Sequence, residues 1–133
     1  METKELINIA LKARENAHAP YSNFKVGAAI LCRSGKVFTG SNVESSSYGL
    51  TICAERVALV KALSEGETDF ESIAVVSTPG ASPCGACRQL LWDYTKDIPV
   101  YLSDLKMNYV ERKLSVLLPY PFDNSQLAST DER

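Results

Sequence analysis

The chain has no run of lysines and arginines of the kind that follows a nucleic-acid backbone. Its 14 basic residues are outnumbered by 16 acidic ones, for a net charge of −2. A polynucleotide partner is therefore disfavoured, and a small neutral molecule fits better. No stretch approaches the roughly 18 consecutive apolar residues that a membrane-crossing helix requires, so no membrane partner is expected. The opening Met1-Glu2-Thr3-Lys4-Glu5 is polar and no apolar segment follows it. No secretory leader is read there, and the cytoplasm is the expected compartment. Repeats, low-complexity tracts and linkers are also missing, which bounds residues 1–133 to a single domain around one core. Histidine is the scarcest chemical resource: there is one, His18, at the end of the first expected helix.

What is present is an ordinary globular composition, 45% apolar and 23% charged. Leu6, Ile7, Ala10, Ala13 and Ala17 recur at helical spacing, predicting a helix over 3–18 that Pro20 ends. Val26 to Leu31, a turn at Arg33-Ser34-Gly35-Lys36, and Val37-Phe38-Thr39 predict a hairpin. The Ser-, Gly- and Asn-rich stretch 40–51 reads as a loop, a common place for ligand contacts. A helix over 52–63, a strand at 73–76, a helix over 84–94 and a strand at 100–102 follow. A short helical piece is expected at about 108–114, and 124–133 reads as a polar, loosely held tail. The order α-β-β-α-β-α-β gives an α/β fold with helices packed on a mixed sheet.

Four cysteines stand at 32, 53, 84 and 87. Without a leader, the C-x-x-C spacing favours metal-bound or reduced thiols over disulfides. Zinc takes thiolates readily, and three protein ligands leave a fourth position for water. Cys84 and Cys87 can reach one ion as a helix begins, and Cys53 opens another helix; both helix starts favour thiolate. Three thiolates give the site a formal charge of about −1, which weakens the ion as a Lewis acid. Arg56, three residues after Cys53, is placed to draw charge from sulfur. Glu55 is the candidate proton shuttle beside the metal. Its spacing poses a problem, since residues two apart on a helix point about 200° apart. Cys53 and Glu55 converge only if Cys53 sits at an irregular first position. A second reading makes the same thiols a closed structural site with Cys32 as the fourth ligand, leaving no room for water.

Cys53-Ala54-Glu55-Arg56 followed by Pro83-Cys84-Gly85-Ala86-Cys87 matches the signature of zinc-dependent nucleobase deaminases. The flanking motifs narrow this. Pro20-Tyr21-Ser22-Asn23-Phe24-Lys25-Val26-Gly27-Ala28-Ala29, Asn42-Val43-Glu44 with Tyr48-Gly49, Ser82-Pro83-Cys84-Gly85-Ala86-Cys87-Arg88-Gln89, and Leu117-Leu118-Pro119 with Phe122 run through most of the chain. Together they closely resemble the small homotetrameric cytidine deaminases of pyrimidine salvage, the class with three cysteine ligands. The resemblance implies a three-layer α/β/α sandwich around a five-stranded mixed sheet, and one Zn²⁺ per subunit on Cys53, Cys84 and Cys87. It implies Glu55 as proton shuttle, with cytidine and deoxycytidine converted to uridine and deoxyuridine. Asn42 and Glu44 would hold the ribose, Phe24 would pack on the nucleoside, and the Ala54 and Cys84 backbone would lie near the pyrimidine. Tyr48 and Phe122 would reach a neighbouring subunit's pocket. Two positions depart from the family pattern, Ser45 where Asn is frequent and His18 where an aromatic is.

Overall fold

The computed structural model describes residues 1–127. Five strands, β1 (Gly27–Cys32), β2 (Val37–Ser41), β3 (Phe70–Val76), β4 (Pro99–Ser103) and β5 (Tyr109–Lys113), form one sheet in the order β2-β1-β3-β4-β5. Every neighbouring pair is antiparallel except β3 and β4, so the sheet is mixed. The parallel pair requires a crossover, and helix α3 (Gly85–Thr95) supplies it.

Side chains alternate across a strand, and β1 shows where each face goes. Ala28, Ile30 and Cys32 join the core under α2 (Ala54–Ser64) and α3, with Ala58, Leu59 and Leu91. Ala29 and Leu31 face the other way, onto Leu6, Ile7 and Ala10 of α1 (Thr3–Ala13). All six β1 residues are buried, as a central strand covered on both faces should be. The architecture is the expected three-layer sandwich.

Two glycines set the layer spacing. A Cβ on Gly27 would lie 2.0 Å from the carbonyl oxygen of Ala10 in α1, and one on Gly40 would lie 2.2 Å from that of Ala54 in α2. The second contact bears on the candidate site residues, because Ala54 separates Cys53 from Glu55. Gly40→Ala should cost about 1–3 kcal/mol by overpacking and should lower activity by more than the stability loss explains. Chemical denaturation and steady-state rates measured on the same preparation check this.

The expected helix over 108–114 is corrected. Tyr109–Lys113 is the edge strand β5, and helix α4 spans only Leu114–Leu117. All five residues of β5 are exposed, so no alternation of apolar and polar positions marks it as a strand. The first helix also ends early, at Ala13, with a 3₁₀ turn over Arg14–Asn16. The chain is drawn out of the helix because the His18 backbone pairs with the segment after β2: its N–H donates to Asn42 O at 2.8 Å, and its carbonyl accepts from Glu44 N–H at 2.8 Å. Within the polar C-terminal stretch, Asn124–Gln126 form a 3₁₀ turn capped by Asp123, whose carboxylate accepts from Trp92 Nε1 at 2.9 Å. Residues 128–133 lie outside the described residues.

Candidate active site

Cys53 and Cys84 are both N-cap residues, of α2 and α3 respectively, with extended backbone. At φ −73° and ψ 153°, Cys53 is outside the helical twist that begins at Ala54. The 200° objection therefore does not apply, and Cys53 and Glu55 line the same cavity. Cys87 lies one turn into α3 and is fully buried, while Cys84 is exposed.

The three sulfurs lie within 4.8 Å of one another. Cys84 Sγ is 3.8 Å from Cys53 Sγ and 3.5 Å from Cys87 Sγ. Tetrahedral zinc with Zn–S bonds of about 2.3 Å separates its sulfurs by about 3.8 Å, so the spacing fits a single ion. Cys32 plays no part in the cluster. It pairs with Phe70 at one end of β1, whereas Gly27 at the other end pairs with Val76, next to the cavity residues Val75 and Ser77. The closed four-cysteine reading is thereby excluded on geometry.

Electrostatics at the cluster follow from its burial. Hydrogen bonding from Cys87, reinforced by Arg56, pulls the Cys53 thiol down to about 5. Cys87 moves the other way, held protonated by the bond it gives Cys53 and by burial. Glu55 is 5% exposed. Burial pushes its carboxyl up to about 7, with the Cys53 thiolate adding to the shift. Arg56 Nη2 donates to Thr51 O at 3.0 Å and lies 3.9 Å from Cys53 Sγ, while its buried Nε has no hydrogen-bond partner among the described residues.

Cys53, Cys84 and Glu55 border a cavity of about 250 Å³. Phe24, Asn42, Glu44, Cys53, Ala54, Glu55 and Cys84 line it, so seven of the residues singled out in the sequence meet in one place. Tyr48 and Phe122 do not: they are 81% and 57% exposed and lie outside this cavity. Sequence reasoning missed Val26, Thr51, Val75, Ser77, Ala81 and Ser82, which complete the wall. Thr51 falls in the 40–51 stretch read as a ligand-contacting loop, Val26 and Ser82 fall in the family-like motifs, and nothing in the sequence marks Val75, Ser77 or Ala81.

The side chains of Asn42 and Glu44 are already engaged. Asn42 Oδ1 accepts from Val26 N–H at 2.9 Å and its Nδ2 donates to Phe24 O at 2.8 Å. One N–H and one lone pair of the amide remain. Glu44 Oε1 accepts from the backbone N–H groups of Tyr21 and Ser22, and Oε2 accepts from the Ser22 hydroxyl.

A family model described as the cytidine and deoxycytidylate deaminase zinc-binding region matches residues 1–102, a span that holds all three clustered cysteines and Glu55. The chain belongs to this deaminase family. Its relatives include a cytidine deaminase of Sporosarcina psychrophila, 44% identical over 136 residues and covering all of both chains. Another, from Halalkalibacterium halodurans, is 49% identical over 125 residues, covering 92% of this chain and 95% of the relative. The 1.6 Å crystal structure of cytidine deaminase from Burkholderia pseudomallei superposes with a TM-score of 0.89 at 46% identity, covering 92% of this chain and 100% of that one. Membership in the deaminase family agrees with a three-thiol cluster suited to one zinc ion per subunit. No helix among the described residues is long and apolar enough to cross a membrane.

Proposed function

We infer that the protein is a zinc-dependent cytidine deaminase, hydrolysing cytidine and deoxycytidine to uridine and deoxyuridine with release of ammonia. One observation carries the reading: a buried carboxylate, Glu55, lines the same cavity as Asn42, Glu44 and two thiols, Cys53 and Cys84, of a three-thiol cluster. Zinc, when bound by Cys53, Cys84 and Cys87, supplies a Lewis acid that activates water. The rest is done by the chain. Glu55 takes a proton from the attacking water and delivers it to the ring nitrogen next to the carbon that bears the amino group. It then passes a proton to the departing amine, so water and cytidine become uridine and ammonia. Burial pushes the Glu55 carboxyl above its ordinary range, toward the operating pH at which a shuttle works best.

Arg56 draws charge from the Cys53 sulfur, offsetting the electron-rich ligand set. Phe24 packs on the nucleoside, the Ala54 backbone borders the pyrimidine, and the free sites on Asn42 and Glu44 accept the sugar. Tyr48 and Phe122, both exposed in the single chain, serve a neighbouring subunit's pocket in a homotetramer. The whole chain acts as one domain in pyrimidine salvage. It works in the cytoplasm, where reducing conditions keep the ligating thiols free.

The test is direct. Purified zinc-loaded protein mixed with cytidine should show the ultraviolet change of conversion to uridine, with one ammonia released per nucleoside. Absence of conversion in fully loaded protein would overturn the assignment.

A further inference from the structure

We propose that Ser22 is a positioning residue for the sugar: it aims the Glu44 carboxylate at a nucleoside hydroxyl. This rests on Glu44 being the sugar-binding residue, as inferred above. The turn around Ser22 is tight. Asn23 takes a left-handed backbone conformation, φ 57°, and its N–H donates to Ala19 O at 2.9 Å. Asparagine tolerates that conformation better than most residues. The turn brings two successive backbone donors, the N–H groups of Tyr21 and Ser22, onto Glu44 Oε1 at 3.0 and 3.1 Å. Successive N–H groups arranged in this way form an anion-binding concavity.

The Ser22 hydroxyl adds a third bond, donated to Glu44 Oε2. Its direction is fixed, because the same oxygen accepts the Phe24 N–H at 3.0 Å and an ionised carboxylate can only accept. The hydroxyl bond and the two backbone bonds hold the Glu44 carboxyl below its ordinary range, so it is an anion at neutral pH.

Counting the acceptor sites gives the consequence. A carboxylate offers about four lone-pair sites, and three are taken. The fourth, on Oε2, is the one that Glu44 can present to an incoming hydroxyl, and the Ser22 bond on the same oxygen sets where it points. Ser22 thus acts on the sugar through Glu44 and on the Phe24 backbone directly, without touching the reacting atoms.

A different reading makes the Ser22–Glu44 bond only a clasp between the 19–24 turn and the segment after β2. That join has other fasteners. The Asn42 amide bonds the backbone at Phe24 and Val26, and the His18 backbone bonds Asn42 and Glu44. Losing one hydroxyl leaves these in place, so the two readings part on substrate dependence. A loosened clasp would harm every nucleoside alike, whereas a misaimed carboxylate harms only those with a hydroxyl to offer it.

The experiment compares kcat/KM for cytidine and for 2′,3′-dideoxycytidine in wild type, Ser22→Ala, Ser22→Thr and Glu44→Gln, with thermal midpoints as the folding check. Ser22→Ala should lower kcat/KM for cytidine about tenfold, mainly through KM, and for the dideoxy substrate by less than about twofold. Ser22→Thr, which keeps the hydroxyl, should restore most of the loss. An equal fall on both substrates, or no fall on either, overturns the proposal. If Glu44→Gln shows the selective loss and Ser22→Ala does not, Ser22 is excluded while the sugar role of Glu44 stands. If Glu44→Gln shows no selectivity, the sugar role itself is wrong and the Ser22 proposal falls with it.

Discussion

Replacing Glu55 with alanine or glutamine is expected to lower kcat by about 10²–10⁴-fold, the range that a positioned proton-transfer group contributes, while the protein keeps its zinc. The carboxyl is not one of the three sulfur donors, so metal content and activity should separate cleanly. Stability offers an independent readout in metal-free protein. Burial raises the Glu55 carboxyl from its ordinary 4.5 to about 7. Between those values the folded state holds on Glu55 a proton that the unfolded state has released, so the contribution of Glu55 to stability falls as pH rises through that window. Glu55→Gln removes the titration. The stability difference should therefore move in favour of the glutamine form by about 3 kcal/mol between about pH 4 and pH 8. Denaturant unfolding of the two metal-free proteins across that range measures it. A difference independent of pH would show that the carboxyl is not desolvated in solution, and undiminished turnover would remove Glu55 from the reaction.

Cys87→Ala should reduce bound zinc to less than about a tenth of the wild-type stoichiometry and abolish measurable deamination, since two thiolates cannot close a tetrahedral site. Elemental analysis of the purified protein reads the first quantity and the cytidine assay the second. The thermal midpoint should fall as well, because an ion that binds only the folded chain stabilises it by mass action. Cys32→Ala is the matching control. Its sulfur sits at the far end of β1, so that variant should keep full zinc and full turnover per folded molecule. If Cys32→Ala emptied the site instead, the closed four-cysteine arrangement would return and the catalytic reading would lose its metal.

The site was more legible than some of the fold. Cysteine chemistry is local: a thiol at a helix start, a carboxylate two residues on and a second thiol pair all announce themselves in short windows. Cys53 and Cys84 duly appear as the N-caps of α2 and α3. Strand β5 was missed because a wholly exposed edge strand carries no period-two signal. Its pairing with β4, including the edge-on contact of Tyr101 and Tyr109 with ring centroids 6.1 Å apart, is purely tertiary. The end of α1 was misjudged for a similar reason, since the bonds that hold His18 extended come from residues more than twenty positions away. The engagement of Asn42 and Glu44 by backbone groups was invisible too. Their sequence motif names two side chains that line the cavity and says nothing of the bonds that hold them still.

The two glycines that space the layers divide the molecule into what evolution can adjust and what it cannot. Any side chain at 27 or 40 collides with a helix backbone on one face of the sheet or the other, so a change there strains the packing of a layer and, at 40, the helix start that carries Cys53. The turn at 19–24 carries no such burden. Tyr21, Ser22 and Phe24 are all exposed, and of the three only Phe24 lines the cavity. A lineage drifting toward a new sugar or a modified nucleoside therefore has a cheap route through that turn, leaving the hydrolytic machinery below untouched.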